Sequence, residues 1–373
     1  MRVAVFGAGY AGLTLTRKLE RTLPTDVELV LVDETGRHLL QHQLHRVVRR
    51  PDVAEDVLLD LSDLLDRASL RVERVTDISP ADSEATLASG ETLAYDLGAI
   101  CLGTATNFHG LDGVREHAIP LLELDDAERI HAEFPEDGRV VVGGAGLSGI
   151  QVAGELAELA RERDASTEVV LLEQEPAVAP GFPRAFQDAV ATALADEGVV
   201  VETGAEVDHA DDETVVLTSG TDLSYDQFVW TGGIAGIDAI DDDRPVVRRD
   251  LRLTDSTFVA GDAARVVDAD GQAVPASAQT AIAQGRAVGT NLTRLAEHGL
   301  SDDGGFEPRL TPYVHESRGW LVSVGDHAVA QVGPQVLTGK AAKAVKTGVG
   351  ARYLSNVGAT EKGLELLLDE FGP

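Results

Sequence analysis

Two short glycine runs are the residues of this sequence best suited to chemistry. Gly7-Ala8-Gly9-Tyr10-Ala11-Gly12 follows an apolar stretch, Arg2–Phe6, and opens a helical pattern through Leu13, Leu15, Leu19 and Leu23. A second apolar stretch, residues 27–32, ends in Asp33. In a βαβ unit of this kind the first glycine permits the tight turn and the second lets backbone approach a pyrophosphate. The third lets helix pack closely on strand, and the acid about twenty residues on accepts ribose hydroxyls. The helix N-terminus adds free N–H groups and the positive end of its dipole. The design recurs: a strand at 139–142, Gly144-Ala145-Gly146-Leu147-Ser148-Gly149, a helix through Leu156 and Leu159, and a strand at 168–172 ending in Glu173. An acid with no arginine beside it suits a free 2′-hydroxyl, hence NADH rather than NADPH. Two complete units imply two dinucleotides held in one molecule.

Further elements must position these loops. Residues 91–96 and then 97–102 read as a hairpin feeding a strand that ends in Gly103-Thr104. Residues 223–226 and 227–230 repeat the arrangement, ending in Thr231-Gly232-Gly233. Strand ends stripped of side chains let backbone pass close to a flat ring or a sugar. A buried strand at 257–260 terminates in Gly261-Asp262, and a helix capped by Ser277 runs from Ala278-Gln279 past Gly285. That cap aims the helix's positive end at negative charge developing on a bound cofactor. These alternations predict an α/β fold with two Rossmann-like dinucleotide-binding domains and a C-terminal α+β segment.

Composition narrows the class. The chain has 373 residues, 43% of them hydrophobic, enough for two cored domains. Its formal net charge is −32, and its five lysines are Lys18, Lys340, Lys343, Lys346 and Lys362. Such a surface fits a halophile's protein, where salt screens the self-repulsion, and it excludes nucleic acid as a partner. With Cys101 as the single cysteine, no internal disulfide or dithiol redox centre can form. Its place before Gly103 reads as a small core hydrophobe. No signal peptide is visible and no run reaches the ~20 apolar residues of a membrane span, so a cytoplasmic location is expected, soluble or peripheral on the inner face of the membrane. His38, His42 and His45 could share a helical face and suggest a metal, but no clustered carboxylate or cysteine supports one, so no metal is expected and they read as lining a cofactor or acceptor pocket.

Together these features resemble the two-dinucleotide-binding flavoproteins, and among them the type II NADH dehydrogenases, single-subunit NADH:quinone oxidoreductases that pump no protons. The resemblance spans Val3 to about Gly358. It is carried by residues 9–14, His38-Leu39-Leu40-Gln41, Thr104–Phe108 with Gly110, Gly144–Gly149 with Ala153-Gly154-Glu155, Gly261-Asp262, and Ala278-Gln279-Thr280-Ala281. It implies that Gly7, Gly9, Gly12 and Asp33 hold the ADP half of FAD, that Asp262 holds its ribityl chain, and that Gln41, Gly103 and Gly261 border it. It implies that Gly144, Gly146, Gly149, Glu173 and Gly232 hold NADH. Ala278 and Gln279 would lie beside the isoalloxazine, near the quinone, with Gln151 as a second catalytic position. The chain departs from the family pattern twice, with Gln151 in place of a glutamate and Ala283, followed by Gln284, in place of a glutamine.

The division expected is an FAD domain at 1–110 and 231–310, an NADH domain at 111–230, and an acceptor-side segment at 311–373. From His327 to Thr360 there is no acidic residue, while Lys340, Lys343, Lys346 and Arg352 cluster there. If 340–353 is helical, Val345, Val349 and Tyr353 share one side and the lysines the other. That face suits an anionic membrane holding a lipid quinone such as menaquinone, or the protein's own acidic body. Two other readings stay open: a soluble NADH-dependent flavin reductase serving a small redox protein, and a redox-responsive NADH- and FAD-binding protein. The sequence leaves open whether the chain acts alone or as a homodimer.

Overall fold

The computed structural model describes residues 1–240, 244–268, 271–301, 306–317 and 319–364. The expected segments at 231–310 and 311–373 therefore extend partly outside the described residues. Alternating apolar and fully buried runs build two five-stranded parallel sheets. The first orders its strands Thr257–Val259, Leu97–Ile100, Arg2–Phe6, Glu28–Asp33, Ser69–Val72. The second orders them Ile119–Pro120, Gln227–Trp230, Asp137–Gly143, Ser166–Glu173, Val200–Thr203. In each, the strand entering the glycine loop is central, so loop and helix N-terminus emerge at the carboxyl edge of the sheet, where such folds bind ligands.

The duplication reaches individual hydrogen bonds. Asp96 accepts the Arg2 N–H at 2.6 Å, and Asp226 accepts that of Arg139 at 2.8 Å. Arg2 pairs with Glu28, and Arg139 with Glu168. A three-stranded antiparallel meander precedes each closing strand, at Val75–Ser79, Glu84–Leu87, Thr92–Ala94 and again at Val207–Ala210, Thr214–Leu217, Asp222–Ser224. The lobes are joined by two crossing strands, Ala105–Thr106 and Ile234–Ala235, paired antiparallel.

The C-terminal segment is α+β, with a three-stranded antiparallel sheet (Trp320–Val324, His327–Val332, Gln335–Thr338) followed by the helix Gly339–Val357. The turn at Val324-Gly325 presses on the second Rossmann helix, Leu147–Glu162. A Cβ added to Gly154 there would stand 2.3 Å from the Gly325 nitrogen. The terminal helix in turn touches the first Rossmann helix, Tyr10–Thr22, so this segment bridges both lobes. No helix among the described residues is long and apolar enough to cross a membrane.

Candidate dinucleotide and acceptor site

The two glycine loops are near copies. Gly7 and Gly144 take φ of +92° and +95°, a left-handed conformation that glycine adopts without strain. A Cβ on Gly12 would lie 1.8 Å from the Gly7 oxygen, and one on Gly149 1.9 Å from the Gly144 oxygen, so the third glycines are there for packing. A Cβ on Gly9 or Gly146 would meet nothing within 4 Å. These walls are open and leave the loop backbone accessible at both positions. Asp33 Oδ2 accepts the Ala8 N–H at 2.9 Å, and Glu173 Oε2 accepts that of Ala145 at 2.8 Å. Each acid thus braces its own loop at the end of the second strand.

Around the first loop, Gly103 lies at the end of the neighbouring strand with φ +75° and open space where a side chain would be. Gly261 has its N–H held at 2.8 Å by Gln284 Oε1, which is buried. Asp262 Oδ1 is buried with no hydrogen-bond partner among the described residues, and burial raises this carboxyl's pKa. A buried acceptor without a donor costs about 1–3 kcal/mol, and the hydroxyls of a polyol chain would satisfy it. The helix Ala278–Leu300 starts at Ser277, whose hydroxyl accepts the Thr280 N–H. A Cβ on Gly285 would stand 2.4 Å from the Ala11 oxygen. That close packing fixes the helix, with Ala278 and Gln279 at its N-terminus, against the first Rossmann helix. Gln279 is half-buried and donates to the Glu316 carbonyl at 3.4 Å.

Around the second loop, Gly232 follows Thr231, whose hydroxyl donates to the Gly143 and Gly144 carbonyls. Gln151, one residue past Ile150 on the glycine helix, reaches His45 Nε2 at 3.4 Å. Gln41 is exposed and donates to the Leu122 carbonyl at 3.5 Å. Leu122 in turn lines a cleft of about 610 Å³ beside the crossing strands, together with Thr106, Phe108, Arg115 and Glu123 among others.

Two expectations are corrected. His38, His42 and His45 do not share a helical face: they lie on a strand (Arg37–Leu39), a 3-10 turn (Gln41–Gln43) and a helix (His45–Arg49). No group of three metal-ligating residues occurs among the described residues. Instead His38 bonds to the Ala8 carbonyl at 2.8 Å and to Tyr353 Oη at 2.8 Å, and His42 bonds to Tyr10 Oη. Burial lowers the pKa of His38 to about 4 and that of His42 to about 3, so both stay neutral. Second, the 340–353 region is helical, but its residues do not divide into an apolar and a basic side. Tyr353 is buried, Val349 is 64% exposed, and Lys346 turns inward to Ser323 Oγ. Gln284, which follows the departure at Ala283, accepts the Gly261 N–H. Cys101 is buried, and desolvation pushes its thiol pKa up to about 12, as a core hydrophobe requires.

The sequence analysis missed the bond of Tyr353 to His38, which lies 315 residues away. It also missed the role of Glu155. This carboxyl is nearly buried, 3.8 Å from His45 and 3.9 Å from Arg49, and burial raises its pKa to about 7 against the pull of Lys346 and three arginines.

The comparisons agree with this geometry. Residues 1–285 match the model of the pyridine nucleotide-disulphide oxidoreductases. A type II NADH:quinone oxidoreductase of Staphylococcus aureus is 25% identical, with 96% of each chain covered. NDH2 from Plasmodium falciparum in complex with NADH superposes with a TM-score of 0.81 at 13% identity, covering 100% of this chain and 98% of that one. The sulfide:quinone oxidoreductase of Aquifex aeolicus gives 0.79 at 18% identity, covering 99% and 95%. This chain belongs to the pyridine nucleotide-disulphide oxidoreductase family.

Proposed function

We propose that the chain is an FAD-dependent NADH:quinone oxidoreductase that pumps no protons. One observation carries this beyond the family: two complete cradles stand in a chain whose single thiol is buried and inert. No dithiol can relay electrons to a disulfide substrate, so they leave for a diffusible acceptor. The likeness to type II NADH:quinone oxidoreductases over 96% of both chains supports a quinone, and a menaquinone is our choice.

The first cradle fits FAD. Gly7, Gly9 and Gly12 would admit its pyrophosphate to the helix N-terminus, Asp33 would take a ribose, and the orphaned Asp262 oxygen would take the ribityl hydroxyls. Gly103, Gly261, Ala278 and Gln41 would border it. Bound FAD supplies the redox chemistry, taking hydride from NADH and returning two electrons to the quinone.

The second cradle would hold NADH through Gly144, Gly146, Gly149 and Gly232. Glu173, buried and followed by Gln174 and Glu175 rather than an arginine, would accept a 2′-hydroxyl and disfavour a 2′-phosphate. Gln151 and Gln279 would orient reactants from the two lobes, both being neutral amides that hydrogen-bond without titrating. Residues 1–110 and 231–310 serve FAD, 111–230 NADH, and 311–373 the acceptor side. Lys340, Lys343 and Arg352 would face an anionic lipid surface, Lys346 being committed to the interior.

Extraction of the cofactor and comparison of NADH with NADPH, using a soluble menaquinone analogue, test this reading. FAD at one per chain, quinone reduction, and a clear preference for NADH are expected. Loss of any flavin on purification, or turnover only with a protein acceptor, would overturn it.

A further inference from the structure

The copied cradles differ at one clamp. In both, the residue between the first two glycines, Ala8 or Ala145, donates its N–H to the acid ending the second strand. In both, the first glycine's N–H goes to that same strand, Gly7 to the Val32 carbonyl and Gly144 to that of Leu172. The alanine carbonyl is where they part. The Ala145 oxygen is held by a backbone donor, the Ala179 N–H, at 2.9 Å. The Ala8 oxygen is held by a side chain, His38 Nδ1, at 2.8 Å. Both donors come from the segment that follows the second strand, so the same task is done by backbone in one lobe and by an imidazole in the other.

That imidazole has no freedom of its own. A carbonyl only accepts, so Nδ1 carries the proton and Nε2 is left as an acceptor, which Tyr353 Oη fills at 2.8 Å. His38 is fully buried, Tyr353 is 6% exposed, and their rings pack with Tyr10. Tyr353 belongs to the C-terminal helix, Gly339–Val357. The consequence for the cradle follows from peptide geometry. In a trans peptide the C=O and the next N–H point in opposite directions, and no cis peptide occurs among the described residues. Clamping the Ala8 carbonyl therefore orients the Gly9 N–H, at the glycine whose side is open.

We propose that His38 is a positioning residue for the FAD pyrophosphate, and that the C-terminal helix sets it through Tyr353. The grip on FAD then depends on how this helix is docked, while the grip on the nicotinamide dinucleotide does not. This rests on the first cradle holding FAD.

The test follows FAD release from purified holoprotein on dilution in high salt, by the rise of free-flavin fluorescence, with NAD⁺ affinity measured by calorimetry. Tyr353→Phe should release FAD about three- to fivefold faster, and His38→Ala about tenfold or more, as a lost buried hydrogen bond predicts. His38→Gln retains an N–H donor and should restore most of the affinity. NAD⁺ binding should stay within about twofold of wild type, its clamp being Ala179. Unchanged FAD release in Tyr353→Phe and His38→Ala would overturn the proposal. So would equal loss of FAD and NAD⁺ binding without rescue by glutamine, since that marks general loosening. Wild-type protein that holds no FAD would instead remove the reading beneath it.

Discussion

At the scale of single residues, the cradles predict two separable failures. Gly9→Ala and Gly146→Ala place a methyl in open space, so both variants should fold with wild-type melting behaviour. The first should purify without FAD. The second should purify yellow yet fail to be bleached by NADH. Gly12→Ala is different in kind, because its Cβ would collide with the Gly7 backbone, so it should lose stability itself. A Gly9→Ala protein that keeps its flavin would place the pyrophosphate elsewhere. Cys101→Ala should keep at least half of the NADH:quinone rate, a buried thiol with a pKa near 12 having no part in the chemistry. Its loss of turnover, with fold and flavin intact, would restore a thiol step.

At the scale of elements, what the sequence discloses depends on how local the cause is. The glycine loops were legible because turn, strand, helix and acid all lie within about thirty residues. Ser277 as a helix cap was legible for the same reason. The C-terminal helix was not. Its lysine spacing suggests one basic side, but which side faces water is decided by partners far along the chain: Ser323, His38 and Tyr10. The three histidines misled likewise, since a strand, a 3-10 turn and a short helix, not one helix, place them. A prediction follows for this helix. Lys340→Glu with Lys343→Glu should weaken co-sedimentation with anionic vesicles at low salt and leave the flavin spectrum unchanged. Lys346→Met should leave vesicle binding alone and lower the melting temperature, because that ammonium bonds inside the protein. Vesicle binding indifferent to the first pair would remove the membrane contact.

At the scale of the molecule, buried titrating groups set the response to acid. His38, His42 and His45 all have folded pKa values below the usual 6.5 because burial disfavours their charge, with Lys346 and Arg46 adding to the effect at His42 and His45. Between the folded and unfolded values the unfolded chain binds the extra protons, so their stability is lost as pH falls through 6.5. Glu155, raised from 4.5 to about 7, works the other way and favours the folded state as pH falls. Asp262, also raised by burial, adds to Glu155, and the three imidazoles outweigh the two carboxyls, so net stability should fall on acidification by roughly 1 kcal/mol per pH unit below about pH 6. Melting curves in molar salt, which screens the net charge of −32, would show this as a midpoint dropping from pH 7 to 5. A flat or rising midpoint would mean that the histidines are not buried neutral.

Electrons are proposed to pass from NADH through bound flavin to a quinone, and anaerobic stopped-flow follows that path. The protein is reduced with one equivalent of NADH in high salt, then mixed with a soluble menaquinone analogue while flavin absorbance is followed. Fast bleaching by NADH and reoxidation by the quinone within about a turnover time, milliseconds to seconds, are expected. A flavin that is reduced by NADH but stays reduced in the presence of quinone would contradict that path.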